Sequence, residues 1–308
     1  MAEDAAGAAP PSASQHLHYL TYKSLARAIT AIPSPLVPAI GTAAGLTMSE
    51  VWRGRRPVVR ANLRRVVGPA VSETQLDRLV VQAFDYYAQY WLESARLASL
   101  TPAQVLKRFR CDGFERVAEE MAKHRGVILA LPHLGLWELG GVWLTLKGCP
   151  MTTVVEPLEP PELFEWFKGQ REDLGLTIHT LGRDAAGKLV AALRAGRLVG
   201  LVADRDLVGD GVEVEFFGEK TSLPGGAALL ALRTGAPLFP CAVYQEPHGR
   251  GHGVIRPPLE IERTSSLRHD VRRVTQELAR HFEELIGAEP AQWHMFQPNW
   301  PADKEKFG

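Results

Sequence analysis

At 308 residues the chain can bury the core of one sizeable α/β domain, with or without a helical extension. Its 35 Lys and Arg balance 35 Asp and Glu, so net charge steers it neither toward nucleic acid nor toward acidic substrates as a class. Three cysteines, Cys111, Cys149 and Cys241, odd in number and far apart, argue against a disulfide framework and a cysteine zinc site and fit a reducing, cytoplasmic setting.

The first fifteen residues are small, polar and acidic, unlike a secretory signal, and read as a disordered tail. Residues 16–70 read as a helical arm. HLHYLTYKSLARAI sets Leu17, Leu20, Leu25 and Ile29 near one face with Lys23 and Arg27 beside it, the pattern of an interfacial helix. Ala28 to Ser49 carries no charge, but Pro33, Pro35 and Pro38 break it, so two short helices are expected rather than one span. Arg53, Arg55, Arg56, Arg60, Arg64 and Arg65 then follow in a stretch without an acid, each worth about 1 kcal/mol on an anionic lipid surface. Two readings stay open: a membrane-associating arm, or apolar faces packed on the domain with solvated arginines.

From Ser72 to Leu100, Leu76, Leu79, Val80, Ala83, Phe84, Tyr87 and Trp91 recur at three and four, which predicts a helix with core aromatics. Beyond it FERVAEEMAKHRG is helical, GVILALPH a buried strand, LWELGGVWLTLKG a helix and MTTVVEPL a strand. PELFEWFKGQREDLGL and DAAGKLVAALRAG are helices around the short strand TIHTL; RLVGLVAD, GAALLALRTG and APLFPCAVYQ read as strand, helix and strand. The alternation predicts a single α/β domain over residues 71–303, its central sheet mixed or mostly parallel and flanked by helices. HGRGH, from His248 to His252, lacks a third ligand and reads as a loop; no metal site and no nucleic-acid-reading module is expected.

His133 follows the last apolar residues of VILAL, at the carboxyl end of a strand, where open α/β sheets place their ligands. A neutral imidazole there can take a hydroxyl proton, and Glu138, five residues on, can fold back onto its other ring nitrogen. The plain alternative is a hydrogen-bonded structural histidine, with a glutamate favoured early in a helix by the macrodipole. No G-x-S-x-G elbow, H-E-x-x-H zinc helix, Walker loop or dinucleotide turn is present. An enzyme of this sequence is therefore expected to activate an incoming hydroxyl toward an already activated electrophile.

LPHLGLWELGG resembles the H-x4-D/E block of the glycerolipid and lipid A acyltransferase superfamily. VADRDLVGDGVEVEFFGEKTSLPGGAALLALRTGAPLFP is similar to the second block of its late-acyltransferase branch. QWHMFQPNWPAD and DRDL resemble, more narrowly, the actinobacterial phosphatidylinositol mannoside acyltransferases, and the likeness runs from about Tyr22 to Asp303. It implies transfer of a palmitoyl chain from acyl-CoA, a co-substrate rather than a cofactor, to the 6-hydroxyl of the 2-linked mannose of phosphatidylinositol mono- or dimannoside. The implied place is the cytoplasmic face of the cell membrane, peripherally, on an anionic surface. His133 is implied as base, Glu138 as motif acid and Glu213, or Glu215, as a second glutamate. Arg171, Asp204 and Arg205 are implied at the polar end of the substrate. Another lipid acceptor, and a lipid-binding protein without turnover, remain as alternative readings.

Overall fold

The computed structural model describes residues 36–157, 159–206, 209–264 and 266–307 and, ahead of them, 21, 23, 24 and 26–33. The predicted tail and the arm residues Leu17, Leu20 and Leu25 lie outside these. Residues 26–30 are helical, the chain turns at 31–32 ahead of Pro33, and α1 begins at Val37 with Pro38 in its first turn, so the uncharged segment is not one continuous helix. Among the described residues no helix is long and apolar enough to cross a membrane.

Helices α1 (Val37–Val51), α2 (Arg56–Val67) and α3 (Glu73–Leu97) form one packed layer. A stripe of Val37, Gly41, Gly45 and Ser49 faces α3, and a Cβ on Gly45 would stand 2.5 Å from Asp85 Cα, so the missing side chain is what allows the contact. Ser72 and Gln75 close a capping box that starts α3. Val58, Val59, Asn62 and Leu63 of α2 are buried, so this part of the predicted arm is built into the body. The arginines have partners as well. Arg53 and Arg56 reach Glu50, Arg60 reaches Glu73 and Asp77, Arg64 reaches Glu73, Arg65 reaches Asp303 and Glu219, and Arg55 donates to the Phe296 carbonyl. A free basic cluster, as the sequence suggests, is thus corrected: acids from other elements meet it.

Among the described residues the domain proper has nine strands: β1 (Phe109–Asp112), β2 (Val127–Leu131), β3 (Met151–Val155), β4 (Thr177–Thr180), β5 (Leu198–Val202), β6 (Val212–Phe216), β7 (Glu219–Leu223), β8 (Leu238–Glu246) and β9 (Arg250–Ile255). Seven form one sheet in the order β1-β9-β8-β2-β5-β3-β4, with every neighbour parallel except β8 and β9; β6 and β7 make a separate hairpin. The sheet is mixed and mostly parallel, as expected. The core strands β2 (VILAL) and β5 (LVGLV) are almost continuously apolar because both their faces are covered.

α4 (Pro102–Arg108) leads into β1; α5 (Phe114–Ala122), α6 (Trp137–Leu146), α7 (Pro161–Asp173), α8 (Ala185–Arg194) and α9 (Gly226–Thr234) run between strands; α10 (Leu267–Ala288) and α11 (Pro301–Phe307) follow β9. Val127, Leu129, Cys241 and Val243 look toward α6, with Val142 and Trp143; Ile128, Ala130, Val199 and Leu201 look the other way, toward α8, α9 and α10. Gly235 ends α9 in the left-handed conformation, φ 72°. HGRGH is only partly a loop, since Arg250 to His252 open β9. The glycines permit it: a Cβ on Gly251 or Gly253 would meet the Phe109 ring at 2.7 or 2.9 Å.

Candidate active site

β2 and β5 lie side by side in register, Leu131 opposite Val202, so the residues just past their carboxyl ends come together. Those residues are His133 and Asp204. Asp204 is completely buried, and His133 is partly exposed with 22% of its side chain accessible. The ring Nδ1–H donates to Asp204 Oδ1 at 2.6 Å. The backbone N–H of His133 donates to Asp204 Oδ2 at 3.0 Å, and the indole Nε1–H of Trp293 donates to that same oxygen at 2.7 Å. Burial alone would push the Asp204 carboxyl up, but the His133 ring and these N–H donors outweigh it and hold it below the usual carboxylate range. A carboxylate at Nδ1 keeps the proton there, which leaves the Nε2 lone pair as acceptor.

The loop from His133 to α6 turns at Gly135, φ 58°, where a Cβ would lie 2.1 Å from the Val243 carbonyl oxygen; glycine alone fits both demands. Trp137, the first residue of α6, stands edge-on to His133 with ring centroids 5.4 Å apart.

Glu138 does not reach His133. It is held by Arg171 of α7, whose Nε and Nη2 donate to Oε1 at 3.0 and 2.5 Å, while Ser94 of α3 donates to Oε2. The expected orienter is therefore corrected: the acid on the imidazole is Asp204, from the next strand, and Glu138 ties α3, α6 and α7 together. This also moves Asp204 from the expected substrate end to the imidazole, whereas Arg171 borders the cavity described below. Asp204 has no exposed surface, and Arg171 is committed to Glu138, Ser94 and the Phe167 carbonyl. Arg205 keeps 23% of its side chain exposed, and its guanidinium stands 3.8 Å from Glu156.

Glu213 and Glu215 lie on the outer face of the β6–β7 hairpin, whose inner face is Val214 and Phe216. Glu213 pairs with Lys220 and Arg272, and the Glu215 backbone exchanges hydrogen bonds with Gln276. The structure does not bring either to His133. The residues the sequence reading missed are Trp293 and Ser94. Trp293 sits in a quoted motif that gave no hint of its partner, and Ser94 is one small residue in a long helix, with no signal at all.

Between α6 and the sheet lies a cavity of about 920 Å³, counting all unfilled space and its open mouth. Leu129, Leu131, Val142, Leu144, Val155 and Val202 line it among others, and Trp137, Glu138 and Arg171 border it too. Every strand of the seven-stranded sheet contributes to its wall, from Phe109 and Cys111 of β1 to Ile178 of β4, so the cavity runs across the strands beneath α6. His133 is not part of its wall; Trp137, edge-on to the ring, is.

An apolar space of this size suits a fatty chain, and an imidazole paired with a buried carboxylate stands against Trp137 of its wall. On this α/β sheet the two together suit an acyltransferase. Residues 12–302 match the family described as bacterial lipid A biosynthesis acyltransferase, and the chain belongs to that family. It is similar to the phosphatidylinositol mannoside acyltransferase of Mycolicibacterium smegmatis, 38% identical over 80% of this chain and 79% of that one. It is also similar to the protein of that name from Mycobacterium tuberculosis, 39% identical over 80% and 77%. The lipid A biosynthesis lauroyltransferase of Escherichia coli is more distant, 24% identical over 75% of each chain.

Proposed function

We propose that the protein transfers a palmitoyl chain from acyl-CoA to the 6-hydroxyl of the 2-linked mannose of phosphatidylinositol mono- or dimannoside. The mannoside comes from the names of the relatives with 38–39% identity. The observation that carries the reaction type is the His133–Asp204 pair standing against Trp137, a residue of the apolar cavity's wall.

In this reading the acyl chain lies in the cavity with its thioester near Trp137, and the sugar hydroxyl approaches His133 Nε2. The imidazole takes the hydroxyl proton as the oxygen attacks the carbonyl; the imidazolium is stabilised by Asp204. The tetrahedral oxyanion collapses, the C–S bond breaks, and the departing thiolate takes the proton back from His133. For the oxyanion, the N–H groups of Leu134 and Gly135 are spent on the carbonyls of Pro132 and Gln292. In the first turn of α6 the N–H groups of Leu139 and Gly140 go to the Leu136 carbonyl, so those of Trp137 and Glu138, at a helix start without a side-chain cap, supply the donors instead. The base supplies about a hundred- to ten-thousand-fold of the rate.

The same reading places the protein on the cytoplasmic face of the cell membrane. What supports it is α1 and its flanks, which leave Leu36, Ile40, Leu46, Val51 and Trp52 exposed, rather than the paired arginines. Flotation on vesicles is then expected to depend on these apolar residues and little on salt; binding that vanishes at high salt would return the role to the arginines.

The test of the activity is a transfer assay with labelled palmitoyl-CoA and a panel of phosphatidylinositol mannosides, a lipid A precursor and a lysophospholipid. Transfer to the mannosides, lost in a folded His133→Ala protein, is expected. Preference for another acceptor would assign a different lipid, and full transfer by His133→Ala would remove the base.

A further inference from the structure

The segment Gln292–Trp300 contributes nothing to the acyl cavity and no group to the acyl-transfer steps, yet it is bonded to both members of the catalytic pair. Trp293 makes an antiparallel bridge with Leu134. On either side of it, the Gln292 carbonyl accepts from the Gly135 N–H at 3.1 Å, and the His294 N–H donates to the His133 carbonyl at 2.8 Å. The His294 ring donates from Nε2 to the Gly135 carbonyl at 3.2 Å, and Asn299 donates to the Asp204 carbonyl at 3.3 Å. The main chain of the His133 loop is thus held from its far side by a strap from the C-terminal end of the domain.

One contact in this strap concerns protons rather than shape. Asp204 is fully buried, and its Oδ2 accepts from two donors, the His133 backbone and the Trp293 indole. We propose that Trp293 is a positioning residue for acyl transfer: its N–H holds the buried Asp204 carboxylate in the orientation that fixes the proton of His133 on Nδ1. The proposal rests on the reading of His133 as base. Without the indole N–H the carboxylate is less well stabilised when His133 is neutral than when it is protonated, because the imidazolium itself then compensates the charge. The pair therefore binds its proton more tightly, and the acid limb of the pH–rate profile moves upward.

The groups that face the pair leave this effect readable. His294 is buried and held neutral, pushed down to about 3 chiefly by burial. Arg205 is turned to Glu156, and the Glu138–Arg171 pair lies beyond Trp137. Tyr87 and Tyr90 pack on His294, and burial pushes the Tyr87 hydroxyl up, away from the assay range.

Trp300 is the matching control. It is equally buried and packs on Trp293, at 6.3 Å between centroids, but its indole donates to the Phe216 carbonyl. Trp293→Phe and Trp300→Phe each remove an N–H and part of a ring from one cluster. The expected result is a comparable loss of melting temperature in both. Only Trp293→Phe should shift the acid limb of kcat/KM upward, by about one pH unit, and lower the rate at pH 6 about tenfold. Equal limbs in the two variants, or an unmoved limb in a folded Trp293→Phe protein, would overturn the proposal. Should Trp293→Phe not fold, the full-length wild type labelled with 15N at indole nitrogens gives the same answer. With Trp300→Phe to aid assignment, the Trp293 Nε1–H resonance is expected to titrate with the acid limb, and a pH-independent resonance overturns it. The His133→Ala assay is independent of Trp293, so failure of the base assignment and failure of this one are distinguishable.

Discussion

Asp204→Asn is the substitution whose outcome the geometry defines most sharply. The two side chains have nearly the same shape, and the site allows the amide one orientation. Oδ2 receives N–H groups from the His133 backbone at 3.0 Å and from Trp293 at 2.7 Å, so the amide oxygen must stay there. The NH2 group then occupies the place of Oδ1 and faces His133 Nδ1 across 2.6 Å. Two donors cannot face each other, so the ring must carry its proton on Nε2 and accept at Nδ1. An imidazole in that state has no lone pair for the sugar hydroxyl. The same exchange in a buried Asp–His–Ser triad lowers kcat about ten-thousand-fold, and the same wrong tautomer is produced here. The loss corresponds to about 5 kcal/mol of transition-state stabilisation, at 1.36 kcal/mol per tenfold. The assay is single-turnover palmitoyl transfer to phosphatidylinositol dimannoside, with a thermal melt beside it. A folded Asp204→Asn protein within tenfold of wild type would refute the tautomer argument, and with it the role of Asp204.

Further outcomes follow from the cavity and from the buried histidine. A Cβ on Gly141 would stand 2.5 Å from the Met151 methyl, the movable end of a flexible side chain, so Gly141→Ala should fold and push Met151 further into the cavity it lines. Losing room for one methylene, worth about 0.8 kcal/mol, should lower kcat/KM for palmitoyl-CoA relative to lauroyl-CoA about fourfold; an unchanged ratio would separate this cavity from the acyl chain. His294, pushed down to about 3 by burial against the opposing pull of the Gly135 carbonyl, takes up no proton in the folded state until far below the ~6.5 of an unfolded chain. Between those values the unfolded state binds more protons, so its contribution is complete above pH 6.5 and is lost as the pH falls toward 3, by about 1.4 kcal/mol per unit. Urea midpoints at pH 7 and pH 5.5 should fall less steeply in His294→Gln, and identical slopes would count against it.

What the sequence made legible was local. The run VILALPH places a histidine at a strand end, and the helix and strand alternation gives the sheet; both depend on windows of ten residues or so. The partner of that histidine depends on strand adjacency. β5 lies beside β2, and nothing between Leu131 and Asp204 in the sequence records that neighbour. Glu138 misled because it is near in sequence, whereas its place on α6 turns it to Arg171 and Ser94. The arginine run misled in the same way: Glu73, Asp77, Glu219 and Asp303, which meet it, arrive from three other elements. The glutamates of GVEVEFF share a face, as strand periodicity requires, but whether that face is inner or outer is decided by Val214 and Phe216, which pack into the core.

The strap also bears on the timing of the protein's own synthesis. Gly135 and His294, which share a hydrogen bond, are separated by 159 positions. A chain emerging from the ribosome therefore makes His133 long before the segment that braces its loop exists, and the His133–Asp204 pair gains its indole donor only when translation is nearly over.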